Sequence, residues 1–299
     1  MTSLAANRRG MLALTFAMAA YAVNDTFVKL VARDLPFGEV IFLRGVLSVL
    51  FLFAAVAMSG ALRTIAAAFT PLVLLRALFD ALGTVFFIAA LVHMKIAELS
   101  AVILTSPLIM TAISAFAFGD AVGWRRWSAI GVGLIGTLFI VKPSAGALDV
   151  WAIVGLGAAL FAAGRDLTTR HIDPTIPTLA IGVYGAVAVM LSGAAVGATE
   201  TWHMPATGQW LGITIAAFFL GIGTYLVVMA FRGVDLPAVA PFRYTLLIWM
   251  GACGYLAFGE IPDRWSLAGA MLIALSGLYA LHREAVRRRD LTSRTVPPA

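Results

Sequence analysis

The sequence predicts an all-α polytopic membrane protein with ten transmembrane helices. Of its 299 residues, 61% are hydrophobic and only 12% are charged, and the mean hydropathy is +0.96. An average soluble domain carries about 25% charged residues, because its surface must face water. A bilayer can accept the apolar surface that a soluble fold of this length cannot bury. The single cysteine, Cys253, excludes an internal disulfide and a multi-cysteine metal site.

Ten apolar segments are long enough to cross the hydrocarbon layer, which takes about 20 helical residues. Cutting at Pro, Gly and charged clusters gives segments 10–32, 36–58, 70–91, 96–118, 124–142, 148–171, 177–198, 207–231, 236–258 and 264–283. The loops between them are too short to hold a soluble domain. Residues 284–299 are basic and carry two prolines, Pro297 and Pro298, so we expect a flexible tail there.

The basic residues predict the orientation in the membrane. With the N-terminus in the cytoplasm, fourteen arginines fall at cytoplasmic ends and five lysines or arginines at outer ends. Cytoplasmic loops are normally richer in Lys and Arg. We therefore expect an inner-membrane protein with both termini in the cytoplasm, which an even number of spans allows. The net charge of +6 reflects this topology, and nothing resembles a nucleic-acid-binding module.

The chain contains an internal repeat of about 140 residues. Ala117-Phe118-Gly119-Asp120 is answered by Ala257-Phe258-Gly259-Glu260, and Asp25 with Lys29 by Asp166 with Arg170. Each repeat, 1–147 and 148–283, then holds five segments. Because five is an odd number, the second repeat enters the membrane upside down relative to the first. Inverted repeats of this kind are typical of secondary transporters, although a duplication kept only for stability is the alternative.

Ten spans in a five-plus-five arrangement, with Phe-Gly-Asp and Phe-Gly-Glu closing segments 4 and 9, resemble the drug/metabolite transporter superfamily. The resemblance covers residues 10–283. Within the superfamily, the chain is similar to the EamA-type exporters and also to the YddG-type amino-acid exporters. The resemblance implies a secondary exporter of amino acids or related metabolites that works by alternating access. It also implies no cofactor.

Two opposite charges inside the segments are the first candidates for a substrate site, since ionisable groups are costly in a bilayer. Arg44 on segment 2 and Asp80 on segment 3 are expected at similar depth. They can bind the two ends of a zwitterionic amino acid, or they can form a structural ion pair. The sequence leaves both readings open. For Asp25 and Lys29 we expect a local ion pair at i,i+4, and for Arg165, Asp166 and Arg170 structural pairing at the inner interface.

Further polar and aromatic residues complete the predicted substrate site. Arg243 lies near the cytoplasmic end of segment 9, where it can face a vestibule or extend to the interface. The others line the expected cavity: Asn24, Phe79, Thr84, Tyr244 and Trp249. A small-molecule site needs such an apolar lining with a few hydrogen-bonding groups. Each of these side chains can instead serve packing alone.

Prolines and helix-end carboxylates have separate predicted roles. Pro107, Pro237 and Pro241 leave backbone carbonyls without their usual partners, so they predict bending or gating of segments 4 and 9. Asp120 and Glu260 are expected to cap the N-termini of segments 5 and 10. Glycines at 131, 133, 136, 269 and 277 allow close packing of segments 5 and 10, either as a scaffold or as the face of a homodimer.

Other function classes find less support in the sequence. A P-loop is absent, as are a GxSxG motif and paired mid-membrane aspartates, so an ATPase or a membrane-embedded enzyme is disfavoured. The four histidines are scattered, so no metal is expected. The expected partners are a small-molecule substrate and the lipid bilayer. Multidrug export or nucleotide-sugar-like transport within the same superfamily is the alternative function.

Overall fold

A computed structural model describes residues 4–60, 62–118, 123–141, 150–173, 175–230 and 239–295 of the chain. All regular elements within these ranges are helical. The α-helices are α1 Leu4–Val31, α2 Phe37–Met58, α3 Leu62–Ala67, α4 Pro71–His93, α5 Ile96–Ile103, α6 Ser106–Phe118, α7 Trp124–Val141, α8 Val150–Thr169, α9 Thr178–Gly197, α10 Thr207–Ala230, α11 Thr245–Phe258 and α12 Arg264–Thr295, and a 3₁₀ helix, Ala240–Tyr244, precedes α11.

The helix ends follow from local sequence chemistry. Pro36 and Pro177, in extended conformations, directly precede α2 and α9, because a proline cannot continue a helix but can lead into one. Thr70 caps α4 by accepting a hydrogen bond from the Val73 amide. Gly259 ends α11 with a φ of 66°, a left-handed conformation that glycine adopts without steric cost.

Within the residues that the structure describes, eight helical stretches are long and apolar enough to cross a membrane. The two remaining predicted segments also contain helices, but shorter ones. The apolar part of α7 is Trp127–Val141, and the ninth segment consists of the 3₁₀ helix followed by the 14 residues of α11. The predicted fold class, an all-α polytopic membrane protein, is therefore confirmed.

The fourth segment is interrupted near its middle. In the orientation that the sequence predicts, α5 is its outer half and α6 its inner half, and Pro107 occupies the first turn of α6. Pro241 lies within the 3₁₀ helix, and Pro237 lies outside the described residues. Both predicted bend regions thus depart from continuous α-helix where their prolines are described. At the C-terminus, the backbone of α12 continues to Thr295, so residues 284–295 extend the last helix where we expected a flexible tail.

The helices pair mainly between the two halves of the chain. The most extensive contacts join α1 with α10, α2 with α9, α4 with α8, and α7 with α12. Suppose that each of segments 1–5 is exchanged with its counterpart among segments 6–10. The α1–α10 pair then becomes the α4–α8 pair, and the α2–α9 and α7–α12 pairs stay the same. This pattern is the one that a pseudo-twofold relation would produce. The inverted repeat itself stays a prediction.

The glycine-rich faces of α7 and α12 pack against each other inside the chain. A side chain at Gly136 would overlap the Gly269 carbonyl and Ile273, so the two backbones approach closely there. The structure therefore places Gly136 and Gly269 in a scaffold contact, one of the two predicted alternatives, whereas a Cβ at Gly131 would meet open space and one at Gly277 would meet Tyr244. On the faces of both helices that point away from this contact, large apolar side chains remain exposed, as expected for a surface in lipid. The homodimer stays a prediction.

Candidate functional site

A network of five charged side chains joins three membrane-spanning segments. Arg76 and Asp80 come from α4, Arg165 and Asp166 from the end of α8, and Arg243 from the 3₁₀ helix. All five lie toward the end of the bundle that the sequence predicts to be cytoplasmic. The elements that carry them belong to both halves of the chain. We refer to these five residues as the inner network.

The two aspartates each bridge arginines. Asp80 accepts from Arg76 Nη1 and Arg165 Nη1, both at 3.3 Å. Asp166 accepts from Arg165 Nη2 at 2.9 Å and Nε at 3.0 Å, a two-point contact of the kind a planar guanidinium makes well. Arg243 Nη2 lies 3.9 Å from Asp166 Oδ2, which is too long for a hydrogen bond. Arg243 is therefore the least satisfied arginine of the inner network.

The inner network is open to solvent although it lies within the helical bundle. Side-chain exposure rises from 18% at Arg76 and 22% at Asp80 to 38% at Arg243. Three arginines face two aspartates, so the inner network carries one positive charge in excess. Charged groups at this depth normally pair with one another or line a water-filled cavity. An accessible, positively charged site of this kind can take a carboxylate from a ligand.

Neighbouring helices shape the inner network from the other sides. Gly185 of α9 leaves the space that Asp80 and Arg76 occupy, since a Cβ there would lie 2.7 Å from Asp80 Oδ2. Tyr21 of α1 lies close enough to Arg165, Arg243 and Asp80 to interact with them electrostatically. Five helical elements thus surround these charges.

The predicted ion pair between Arg44 and Asp80 is not observed. Arg44 lies seven residues into α2, about 10 Å below the outer end, whereas Asp80 lies thirteen residues, about 20 Å, from the outer end of α4. The sequence misjudged this difference in depth. Asp80 still acts electrostatically on Arg44, but its direct partners are Arg76 and Arg165. The substrate-binding role of both residues stays a prediction.

Arg44 instead faces α1. Its Nη1 donates a long hydrogen bond, 3.4 Å, to Asn24 Oδ1, and Asp25 is the acidic residue with the strongest electrostatic effect on it. Asn24 in turn donates to Asp25 Oδ1 at 2.7 Å. Although Arg44 is only 6% exposed, its Nε has no hydrogen-bond partner, and neither has Ser48 Oγ one turn further on. Buried donors without partners are costly.

The predicted local pair of Asp25 and Lys29 is wrong. Lys29 Nζ turns to the other half of the chain, where it donates to Glu260 Oε1 at 2.5 Å and to the Met94 carbonyl at 2.6 Å. The second oxygen of Glu260 accepts from the Ile96 amide at 2.9 Å. An interaction across 231 residues has no local sequence pattern.

Glu260 is a helix cap, but of a different helix than predicted. By accepting from the Ile96 amide it caps α5, where we expected it to cap α12. Asp263 takes that role, accepting from the amides of Trp265 and Ser266 at 2.9 and 3.1 Å. Asp120 lies outside the described residues, so its predicted cap stays a prediction.

The remaining predicted site residues occupy two regions. Phe79 packs on Gly164 of α8 beside the inner network, and the Thr84 hydroxyl donates to the Asp80 carbonyl at 2.8 Å. Tyr244 and Trp249 are on the ninth segment, and the polar atoms of both are buried without a hydrogen-bond partner. Tyr244 abuts Gly277 of α12, and Trp249 packs near Leu246 and the core of α1.

The sequence did not assign three residues of the inner network to the site, namely Arg76, Arg165 and Asp166. Arg76 and Asp80 are spaced i,i+4, which places both on one face of a helix, so that pair was readable. Arg165 and Asp166 are adjacent and suggested only a local structural pair. Their contact with Asp80 depends on the packing of α4 against α8, which no local pattern reveals.

Comparisons with known proteins agree with this architecture. Residues 8–142 match the EamA-like transporter family, a range that nearly equals the predicted first repeat. A solved crystal structure superposes with a TM-score of 0.65 at 16% identity, covering 93% of this chain and 98% of the other. That likeness concerns the fold alone.

Curated relatives are membrane transporters of small metabolites. The chain is 28% identical to the pseudopaline exporter CntI of Pseudomonas aeruginosa, over 90% of this chain and 94% of the relative. It is 25% identical to the S-adenosylmethionine uptake transporter of Rickettsia prowazekii, over 88% and 89%. It is 27% identical to the riboflavin transporter of Vibrio cholerae, over 72% and 73%. The resemblance to EamA-type drug/metabolite transporters is confirmed, and the likeness to the YddG type stays a prediction.

Proposed function

We propose that this chain is a secondary transporter that exports amino acids or related small zwitterionic metabolites across the inner membrane. The observation that carries the proposal is the inner network. It is a partly exposed set of three arginines and two aspartates between helices of both halves of the chain. The transporter class is supported by the relatives, whose named substrates are all small metabolites.

The charges of the inner network favour a zwitterion as the ligand. A substrate carboxylate meets Arg243, whose own partner is 3.9 Å away, and a guanidinium binds carboxylates with two parallel hydrogen bonds. A substrate ammonium group then faces Asp166 or Asp80. Because the inner network has one positive charge in excess, a ligand that carries a carboxylate is held better than one that carries only a cation.

The predicted residues around the inner network complete the substrate path in this proposal. Phe79 supplies an apolar wall and Thr84 a hydroxyl next to Asp80. Tyr244 and Trp249 offer buried donors without partners, which a ligand can satisfy once it enters. Arg44 and Asn24 form a second polar layer about 10 Å nearer the outer end.

Alternating access between two inverted repeats explains why the site lies between the halves. In this structure α5 packs against α11 at the outer side, whereas α6 packs mainly on α8 and α7. In this proposal the inner network is reached from the inner side. Exchanging the two arrangements would close the inner side and open the outer one.

Localisation and direction are part of the proposal. The positive-inside distribution supports an inner-membrane protein with both termini in the cytoplasm. Export is supported by the pseudopaline exporter, which matches 94% of its own length, although the Rickettsia relative is an uptake transporter. Cysteine labelling at Leu30 and Arg170 tests the topology. Reaction of both cysteines from the same side would refute the inverted repeat.

Transport by purified protein in proteoliposomes is the decisive experiment. Labelled amino acids, S-adenosylmethionine, riboflavin, a nucleotide sugar and a cationic drug would compete for counterflow. We expect saturable, stereoselective flux that zwitterionic carboxylates inhibit. Inhibition by cationic drugs or the nucleotide sugar alone would favour the alternative substrate classes. Recovery of a chemically altered compound would favour an enzyme.

Variants of the site provide the internal control. Arg44→Ala and Asp80→Ala should each lower flux while the protein remains folded in detergent. Lys95→Met is the matched control, since Lys95 is 39% exposed and contacts the Ile261 carbonyl at the outer end. Normal flux in both site variants would refute the assignment of the site.

A further inference from the structure

Four residues at the outer end of the bundle connect three separate helix junctions. Lys29 near the end of α1 bonds both Glu260 and the carbonyl of Met94, and Glu260 also bonds the amide of Ile96. Met94 and Ile96 flank the α4–α5 junction, and Glu260 follows the end of α11. We call Lys29, Met94, Ile96 and Glu260 the outer clasp.

The outer clasp is a well-satisfied arrangement in a poorly solvated place. The side chains of Lys29 and Glu260 are 8% and 18% exposed. The carboxylate uses both oxygens, one on an ammonium group and one on a helix N-terminus, where a negative charge is also favoured by the helix dipole. Phe258 lies against Lys29, with the ammonium 5.1 Å from the ring centroid. Breaking the clasp therefore removes several interactions together.

The outer clasp joins the two halves of the chain where segments 4 and 9 approach each other. Glu260 belongs to the second half of the chain and the other three residues of the outer clasp to the first. Gly259, with its φ of 66°, sets the direction in which Glu260 leaves α11. The contact between α5 and α11 and the outer clasp thus close the same side of the bundle.

Unsatisfied polar groups lie below this closure. Arg44 Nε and Ser48 Oγ are buried without partners, about 10 Å and 16 Å from the start of α2. Water from the outer side would satisfy both. Because these polar groups are buried without partners, they make the closed state less favourable. The interactions of the outer clasp maintain the closed state.

We infer that the outer clasp is the outer gate of the transporter, whose opening exposes the layer of Arg44 and Ser48 to the outer solution. The inference rests on the proposed function for its meaning in transport. The inference itself concerns one ion pair, between Lys29 and Glu260, and the access that this pair controls. It is therefore testable without a substrate.

Access to position 48 measures the gate. A Cys253→Ala background that carries Ser48→Cys is placed in right-side-out membrane vesicles and treated with a small, membrane-impermeant methanethiosulfonate. With the outer clasp intact we expect slow modification. Glu260→Gln and Lys29→Met should each speed modification about tenfold, the change in an equilibrium constant that 1.4 kcal/mol produces.

Two controls separate opening of the gate from general loosening. Asp263→Asn removes a neighbouring carboxylate that accepts hydrogen bonds from Trp265 and Ser266 in its own helix turn, and it should leave the modification rate unchanged. A reporter cysteine at Ala217, 1% exposed within α10, should stay unreactive in every variant.

The outcomes are distinct from those of the transport assay. Fast modification of the parent, or parental rates in either clasp variant, overturns the gate. If one clasp variant aggregates, the other decides, because each removes the same ion pair from a different side. A protein that shows the gated labelling but transports no zwitterion would refute the proposed substrate and leave the gate in place.

Discussion

Removing the carboxylate of Asp80 is the sharpest test of the inner network. Asp80→Asn keeps the size of the side chain but leaves Arg76 and Arg165 without the charge that both contact at 3.3 Å. Hydrogen bonds to charged groups contribute about 1.5–3 kcal/mol each, and breaking a fully buried ion pair costs about 3–5 kcal/mol. Because Asp80 is 22% exposed and an amide oxygen remains, we expect a loss of about 2–3 kcal/mol.

Thermal unfolding in detergent measures this loss. A change of 1 kcal/mol lowers the Tm of a larger domain by about 2–4 °C, so Asp80→Asn should lower it by roughly 4–12 °C. Glu98→Gln is the matched control, because its single ion-pair contact, with Lys95, is 3.9 Å long at the outer end. That variant should stay within about 1 °C of the parent, as expected for weak pairs.

A second substitution distinguishes charge balance from simple loss of packing. In Asp80→Asn with Arg76→Gln, one unpaired guanidinium is removed together with the carboxylate. We expect this double variant to be more stable than the sum of the single effects predicts, which is the sign of direct coupling. A parental Tm for Asp80→Asn, or strictly additive losses in the double variant, would refute the charge network as described.

Three further predictions test neighbouring contacts. Gly185→Ala should reduce flux and stability, because its Cβ would lie 2.7 Å from the carboxylate of the inner network, whereas Gly182→Ala on the same helix, with 3.8 Å to its nearest neighbour, should be neutral in both assays. Gly277→Ala would overlap the Tyr244 hydroxyl and should cost about 1–3 kcal/mol by overpacking; a parental Tm would contradict that contact. Arg243→Lys keeps the charge but loses the planar fork, so the KM for carboxylate substrates should rise more than the kcat falls in counterflow assays.

The fold was largely predictable because lipid imposes a simple rule on the backbone. Every polar backbone group in the hydrocarbon must be satisfied within its own helix, so hydropathy and the positions of prolines define the elements. Pro36, Pro71 and Pro177 begin helices as expected. The interruption between α5 and α6 falls within one turn of Pro107.

The charged contacts were less predictable, since they depend on relative depth and on long-range packing. Arg44 and Asp80 seemed level when depth was counted from approximate segment limits, and an error of a few residues displaces a side chain by several ångströms. Lys29 had an acidic residue one turn away but bonds Glu260 of the other half. Only the i,i+4 pair of Arg76 and Asp80 followed from local spacing.

The inner network and the outer clasp together set limits on the energetics of the proposed transport cycle. Moving a two-state equilibrium from 1:99 to 99:1 takes about 5.5 kcal/mol of differential binding. A substrate carboxylate that forms two hydrogen bonds with Arg243 supplies about 3–6 kcal/mol at about 1.5–3 kcal/mol each, which is comparable to the cost of opening one buried ion pair. The substrate can therefore drive the exchange only if it binds more tightly once the outer clasp has opened. If that condition holds, added substrate should accelerate labelling at position 48. An Arg243 variant that still binds substrate, but in which substrate no longer accelerates this labelling, would be the direct sign of that coupling.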